Sequence, residues 1–283
     1  QAEVAKRLGV PSVKAHRLIA RAVAEGAVKV TIEGEIIECI ELGEAICARY
    51  GLRTCEVAPD LEEDGLPLRT LGLAGASLLR RWLEGGEAMT IGVSHGRTLA
   101  EAVHSMPRIE TKGIKFVSLF GGLTRNFAAN PHDVMHLLAE KTGAPAYVMP
   151  VPFFANTAED REVLLSQRGV AEIIEMGENA PLKFVGLGTV KPETQLVTSG
   201  MIEPAEIKAI DRAGGVGEML GHFFDRNGQI VETALSPRTL SVSMDKASDQ
   251  NIIALAGGPG KIEAIRAILR SGKLSGLVTD ERT

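Results

Sequence analysis

The sequence lacks the features by which membrane-spanning and secreted proteins are usually recognised. No apolar run approaches the ~20 residues that a helix needs to cross a bilayer. The first residues contain neither the apolar core nor the small-residue cleavage site of a signal peptide. Only three cysteines occur, Cys39, Cys47 and Cys55, an odd number that suits buried free thiols in a reducing compartment better than a disulfide framework. We therefore expect a cytoplasmic protein with no membrane partner.

Most motifs of metal and nucleotide chemistry are also missing. Neither a P-loop nor the G-x-G-x-x-G dinucleotide fingerprint occurs. His132 and His136 stand at the helical i, i+4 spacing but not in an H-E-x-x-H motif, so a solvated helix face explains them better than a zinc site. No acid/base pair is placed by a motif. We predict no catalytic residues, no cofactor and no bound metal.

The charge is distributed unevenly along the chain. The formal net charge is −5 at pH 7, which by itself argues against nucleic-acid binding because phosphate contacts need clustered Lys and Arg. Residues 1–33, however, contain six Lys or Arg against three Glu, so this segment carries +3 and residues 34–283 carry −8. A basic segment on an acidic body is typical of a DNA-binding head attached to a larger domain.

The basic segment has the apolar spacing of two short helices joined by a tight turn at residues 9–11. Small or apolar residues would form the contact between these helices: Val4, Ala5, Leu8, Ala15, Leu18 and Ile19. The polar and exposed positions of the second helix would contact DNA: Ser12, Val13, Lys14, His16, Arg17 and Arg21. A plain helical hairpin with a solvated basic face is the alternative. The small residue at position 5 and glycine at position 9 favour a helix-turn-helix.

The alternation of residues 28–32 indicates a strand, as in a winged helix-turn-helix. We assign residues 1–33 to this DNA-binding domain and expect it to be N-terminally incomplete, because such modules normally have a preceding helix. Residues 34–53 would form a linker helix. Residues 54–283 would form the effector-binding domain.

Residues 54–283 alternate between strand-like and helix-like stretches, which predicts an α/β fold with a large Rossmann-like parallel sheet. The strand candidates are residues 89–93, 114–120, 146–151, 183–188, 251–256 and 277–279. Ligands of doubly wound α/β folds bind at the carboxyl ends of the strands. The loops that follow these strands are therefore the candidate binding site.

Several of these loops have residues suited to binding a small polar effector. After strand 89–93, small residues let backbone N–H groups approach an anion, and the next helix adds its dipole. Plain strand-to-helix turns are the alternative. The candidate effector-binding residues of all loops are Ser94, His95, Gly96, Arg97, Thr98, Gly122, Asn130, Glu218, Lys261 and Asp280.

The helix-turn-helix, the loop at 92–98, the Gly121-Gly122 turn, the glycines at 214–217 and the ending AGGPGKIEAIRAILRSGKLSGLVTDE together resemble the SorC/DeoR-type sugar-binding transcriptional regulators. The resemblance implies a regulator rather than an enzyme. Its effector domain would be related to sugar-phosphate isomerases, it would assemble as a homo-tetramer, and its operator DNA binding would respond to a sugar, polyol or sugar phosphate. Matching motifs carry effector contact over to Ser94, His95, Gly96, Arg97, Thr98, Asn130, Glu218 and Lys261.

Two further stretches, GGLTRNFAANPHDVMH and PVPFFANTAEDREVLL, resemble the erythritol-catabolism regulators of this family, which implies erythritol or its phosphate as the effector. Members that bind phosphorylated sugars often have an Arg before the Gly-Gly turn, where this chain has Phe120. We therefore do not expect a doubly phosphorylated effector. The alternatives are an enzyme of the sugar-phosphate isomerase or deaminase type, and a sensor that acts through protein partners.

Overall fold

The computed structural model describes residues 9–24, 37–85, 87–122, 133–244 and 251–283. The chain divides into two compact units, Gln1–Glu35 and Ile36–Thr283. The predicted first helix of the head and the predicted wing at 28–32 lie outside the described residues, as do Asn130 and His132.

Helix α1, Ser12–Ala24, is the described helix of the first unit. The Pro11 carbonyl accepts the hydrogen bond of the Ala15 N–H at 3.0 Å, so the helix begins at Ser12. Ala15 is buried as its spacing predicts, whereas Leu18 is 43% exposed, so the buried stripe of α1 is narrower than predicted. The candidate DNA-binding side chains are all exposed: Ser12, Val13, Lys14, His16, Arg17 and Arg21.

The second unit contains the remaining described helices and strands. The helices are α2 (Ile37–Tyr50), α3 (Leu68–Glu84), α4 (Arg97–Ser105), α5 (Val134–Thr142), α6 (Ala158–Leu165), α7 (Arg168–Glu178), α8 (Gln195–Thr198), α9 (Pro204–Arg212) and α10 (Ile262–Arg270). The strands are β1 (Thr54–Ala58), β2 (Thr90–Val93), β3 (Lys115–Ser118), β4 (Ala146–Tyr147), β5 (Leu182–Gly186), β6 (Gly188–Thr189), β7 (Gly215–Met219), β8 (His222–Asp225), β9 (Ile230–Val231), β10 (Asn251–Leu255) and β11 (Gly276–Asp280). Short 3₁₀ turns cover Ser236–Arg238 and Pro259–Lys261.

A seven-stranded parallel sheet forms the centre of this unit, in the order β1-β11-β10-β5-β2-β3-β4. From β2 the chain adds β3 and β4 on one side and then β5, β10 and β11 on the other. The strand order therefore reverses between β2 and β5, which is the point where doubly wound sheets open a crevice for ligands. The predicted α/β fold with a large parallel sheet is confirmed, and β1 is a strand that the sequence did not predict.

Both faces of the sheet are apolar, which explains why the central strands are buried on each side. In β5, Leu182 and Phe184 pack with residues of α3, α4 and α5, whereas Val185 belongs to a second core that includes α10. In β10, Ile253 and Ile252 divide between the same two cores. Each such side chain contributes about 1.5–3 kcal/mol when fully buried. The helices on the two faces are held mainly by this burial.

A smaller antiparallel sheet follows β5, in the order β6-β7-β8-β9. The sequence analysis grouped Glu218 with the candidate loop residues, but Glu218 lies within β7. Gly217 is needed here for close packing, because a Cβ at this position would lie 3.0 Å from the Ala264 carbonyl oxygen. The glycines thus allow β7 to lie directly on α10.

Within the described ranges, none of the helices combines the length and apolar character needed to cross a membrane. The same ranges contain no group of three or more His, Cys, Asp or Glu that could hold a metal ion.

Gly75 allows α3 to approach α4 and β10. A Cβ at Gly75 would lie 2.5 Å from Leu255 Cδ2 and 2.8 Å from Ala102 Cβ. We expect Gly75→Ala to lower the free energy of unfolding by about 1–3 kcal/mol, because overpacking outweighs the better helix propensity of alanine. Urea unfolding followed by circular dichroism measures this. Gly169→Ala, in α7 with open space around it, should leave stability unchanged or raise it slightly. Equal stability of the two variants would contradict the packing argument.

Candidate functional site

Ser94 connects the ends of β2 and β5 at the point where the strand order reverses. Its N–H donates to the Phe184 carbonyl at 2.9 Å, and its hydroxyl oxygen accepts from the Gly186 N–H at 3.0 Å. The side chain is buried. Ser94 therefore fixes the separation of the two loops that border the crevice.

The N-terminus of α4 opens onto the same crevice. Gly96 precedes the helix with φ 145°, a conformation that favours glycine, and no side chain caps the helix. The first backbone hydrogen bond runs from Ala100 to Gly96, so the N–H groups of Arg97, Thr98 and Leu99 have no acceptor among the described residues. These N–H groups form the positive end of the helix dipole. The arrangement suits an anionic or oxygen-rich ligand.

Arg97 and Thr98 differ in accessibility. The Arg97 side chain is exposed and makes no hydrogen bond or ion pair within the part of the chain that the structure describes. Thr98 is buried at the start of the helix. Arg97 is therefore the residue of this loop whose donors remain available to a ligand.

Lys261 and Glu218 approach the crevice from the other side. The ammonium group of Lys261 donates to the Leu187 carbonyl at 2.7 Å, in the loop between β5 and β6. Burial, and then the positive charge of Arg97, lower the pKa of Lys261 to about 8, while Glu218 acts in the opposite direction. Because Arg97 and Glu218 both act on Lys261, the structure brings these three predicted residues into one electrostatic neighbourhood.

Glu218 is buried, and among the described residues its carboxylate has a single hydrogen bond, from the Gly221 N–H to Oε1 at 2.7 Å. Gly188 lies opposite, where a Cβ would overlap with Glu218 Oε2. Burial raises the pKa of Glu218 to about 7, opposed by the Gly221 hydrogen bond and by Lys261. The carboxyl group can therefore accept or donate hydrogen bonds near neutral pH.

His95 lies between the loop and an aromatic wall. Its ring meets Phe120 edge to face, with centroids 5.4 Å apart, and Phe120 stacks on Phe153 at 4.3 Å. Ser118 donates its hydroxyl hydrogen to the Phe120 carbonyl at 2.7 Å, so in the 3.4 Å contact with His95 Nε2 the imidazole is the donor. Nδ1 is then a buried acceptor without a partner among the described residues. Burial lowers the pKa of His95, opposed by Asp133, which favours this neutral form.

Two predicted site residues are engaged in holding the backbone. Gly122 donates to the Val151 carbonyl at 2.7 Å and accepts from the Phe153 N–H at 3.1 Å. The Asp280 carboxylate accepts from the Gly258 N–H at 3.0 Å, the Thr283 N–H at 3.1 Å and the Thr283 hydroxyl at 2.6 Å. Asp280 thus fixes the backbone at Gly258, directly before the 3₁₀ turn Pro259–Lys261 that contains Lys261.

Residues 92–96 have the Gly-x-Ser-x-Gly spacing of the nucleophile elbow of serine hydrolases, and they occupy a strand-to-helix turn. The contacts differ from those of an elbow. Ser94 is buried, its oxygen accepts from Gly186, and no described histidine lies within hydrogen-bond distance of it. His95 instead faces Ser118 and Phe120. The described residues here provide no pair of nucleophile and general base.

The sequence analysis missed part of the site. Phe153 and Ser118 form the wall around His95, and the carbonyl of Leu187 positions Lys261. The apolar composition of the segments 116–120 and 151–155 predicts only that they lie in a core. That they form an aromatic wall beside His95 follows only from the folded structure, in which the two segments meet. The Gly-x-Gly spacing at 186–188 was the one local signal of the β5–β6 loop.

Residues 34–283 match a protein-family model described as "Putative sugar-binding domain". The chain belongs to this sugar-binding family. Over all of its length it is 65% identical to the "Erythritol catabolism regulatory protein EryD" of Brucella abortus, of which it covers 90%. It is also 28% identical to the transcriptional regulator LsrR of Klebsiella pneumoniae, of which it covers 86%. Both of these relatives are regulators.

The full-length sorbitol operon regulator SorC from Klebsiella pneumoniae has the same fold, with a TM-score of 0.77 at 25% identity. The match covers 100% of this chain and 91% of SorC. The predicted membership of the SorC/DeoR-type sugar-binding transcriptional regulators is thereby confirmed. So is the prediction of a sugar-responsive regulator rather than an enzyme.

Because the pKa of Glu218 rises from 4.5 to about 7 on folding, the folded regulator holds a proton that the unfolded chain releases in this interval. The stabilisation is full below pH 4.5 and is lost as the pH rises through about 7. We expect the stability of the wild type relative to Glu218→Gln to fall by about 2 kcal/mol between about pH 5 and pH 7.5. Urea unfolding at the two pH values measures it.

The matched control for this titration is Glu193→Gln, which changes an exposed glutamate. Its difference from the wild type should not change over the same interval. A pH-independent difference for Glu218→Gln would show that the carboxyl group is not protonated on folding.

Proposed function

We propose that the chain is a transcriptional regulator of polyol catabolism that binds operator DNA and responds to erythritol or its monophosphate. The identity of 65% to the Brucella erythritol regulator supports the choice of polyol. The observation that carries the proposal is the convergence of Arg97, Lys261 and Glu218 at the point where the strand order reverses. Such a regulator would work in the cytoplasm, where the operator is.

The proposed effector site has different groups for the two chemical parts of a polyol phosphate. The uncapped N-terminus of α4, with Arg97 and Lys261, supplies donors for a phosphate or a hydroxyl oxygen. Glu218 and the Nδ1 atom of His95 supply acceptors for hydroxyl groups. Two cationic side chains are better matched to a ligand with one phosphate group than to a ligand with two. This agrees with Phe120 in the wall, at the position where family members that bind phosphorylated sugars often have an Arg.

The proposed DNA-binding part is a winged helix-turn-helix of which α1 is the recognition helix. Its exposed side chains include Lys14, Arg17 and Arg21. A basic helix with a small buried residue, Ala15, on its opposite side is suited to the major groove. The net charge of +3 on residues 1–33 would attract the phosphate backbone.

The regulatory response would arise from a population shift in a homo-tetramer. An effector shifts an equilibrium between two assemblies only if it binds one of them more tightly. The loops 94–98 and 259–261 would close on the ligand and change how the subunits of the tetramer pack against one another. The effector domain would be related to sugar-phosphate isomerases in its architecture and use the same crevice for sensing.

We expect isothermal titration calorimetry to show binding of erythritol or erythritol phosphate to the wild type and at least about tenfold weaker binding to Lys261→Met, which keeps the aliphatic stem but removes the charge. Arg97→Gln should weaken phosphate binding more than erythritol binding, because its donors face the charged group. Lys112→Met, at an exposed site, is the control. Unchanged affinity in Lys261→Met would remove Lys261 from the effector site.

We expect Arg17→Ala to weaken binding to DNA from upstream of the regulated operon by about 1–3 kcal/mol, because it removes a base or phosphate contact. Mobility-shift titrations of the full-length protein at several salt concentrations measure the affinity and its salt dependence. Arg168→Ala, on the body and exposed, should behave as the wild type. Salt-independent binding, or equal binding by both variants, would argue against α1 as the recognition helix.

A further inference from the structure

A cavity separate from the proposed effector site lies in the second unit, Ile36–Thr283. It is an open cleft of about 730 Å³ between α9 and α10, bordered by the start of β7 and the loop after β6. Clefts of roughly 300–1,000 Å³ are the size that holds small molecules. No residue proposed for effector contact lines it.

The cleft and the effector site lie on opposite faces of the β6–β7 ladder. Thr189 pairs with Gly217, and Gly188 pairs with Glu218. Successive residues of a strand point to opposite faces. Thr189 lines the cleft and Gly217 faces α10 beside it, whereas Gly188 and Glu218 face the effector site. The β6–β7 ladder therefore contributes residues both to the cleft and to the effector site.

The charge of the cleft is opposite to that of the body that surrounds it. Residues 34–283 carry a net charge of −8. The cationic residues that line the cleft are Lys191, Lys208, Arg226, Arg266 and Arg270. Only Asp211 and Glu263 oppose them. Clustered charge of one sign in a concave surface focuses the field and attracts ions of the opposite sign.

Some of this charge is already used to shape the cleft, and some is available. Arg226 pairs with Glu263 at 2.6 Å, and Arg270 donates to the Arg226 carbonyl at 2.6 Å. The side chains of Lys191, Lys208 and Arg266, by contrast, make no hydrogen bond or ion pair with any residue that the structure describes. Three cationic groups thus face one cleft without a partner in the described part of the chain.

The cleft has a buried apolar part. Val190, Ile207 and Ala264 are buried, and Ala264 belongs to the helix on which β7 packs. A concave site with a buried apolar part and cationic walls fits a compact ligand better than the phosphate backbone of a duplex, which needs an extended basic surface. The shape and charge together favour a small organic molecule with several negative charges.

We propose that this cleft binds a small polyanion, such as a metabolite with two or more phosphate or carboxylate charges, at a site separate from the effector site. Arg266, Lys191 and Lys208 supply the contacts to the anionic groups. The Arg226–Glu263 pair holds one wall in place.

The test uses the full-length protein with inorganic pyrophosphate as the probe. Lysine acetylation read by mass spectrometry should slow at Lys191 and Lys208 as pyrophosphate rises to about 1 mM, while Lys112, exposed elsewhere, is unaffected. Calorimetry should give about tenfold weaker binding for Arg266→Glu than for the wild type. Arg168→Glu makes the same charge change on α7 and should bind pyrophosphate as the wild type does.

Three results would overturn the proposal. One is the absence of protection at Lys191 and Lys208 throughout the titration. Another is binding that survives Arg266→Glu. The third is protection that depends on protein concentration without pyrophosphate, which would mean that a second copy of the chain covers the cleft. Lys261→Met should still bind pyrophosphate, so failure of the effector proposal and failure of this one are distinguishable.

Discussion

The two hydrogen bonds that join Ser94, at the end of β2, to the end of β5 are the constraint on which the binding site depends. They join β2 to β5 where the strand order reverses, and beyond them the two chain segments diverge. One segment becomes the uncapped N-terminus of α4, and the other becomes the loop whose Leu187 carbonyl holds Lys261. The parallel sheet thus determines where the positive helix end and the lysine face each other.

Among the described residues, the charges around this crevice are not balanced. Lys261 is half-buried, and both its burial and the positive charge of Arg97 disfavour its charged form. Glu218 compensates only in part, because its own burial raises its pKa to about 7. A ligand that accepts hydrogen bonds from the two cations would relieve their repulsion and replace lost hydration. The site is therefore arranged so that an oxygen-rich ligand improves its electrostatics.

Much of the fold and part of the site follow from the sequence, and the limits have physical causes. The central strands are continuous apolar runs, and strand ends followed by glycine correctly located Ser94, Gly96 and Lys261 in the structure. The antiparallel strands β6–β9 were missed because they are short, and because the glycines of β6 and β7 are also typical of loops. The role of Asp280 at the turn before Lys261 was not visible either, since the partner there is the backbone N–H of Gly258, 22 residues away. Pairing partners far apart in sequence leave no local pattern.

Strand β7 shows how one backbone segment supports two different surfaces. Gly217 and Glu218 are adjacent, but one faces α10 and the other faces the crevice. The turn Pro259–Lys261 has the same property, because Pro259 borders the basic cleft while Lys261 extends to Leu187. This short 3₁₀ turn follows Gly258, whose N–H donates to Asp280. The crevice and the cleft therefore share this turn as a common wall.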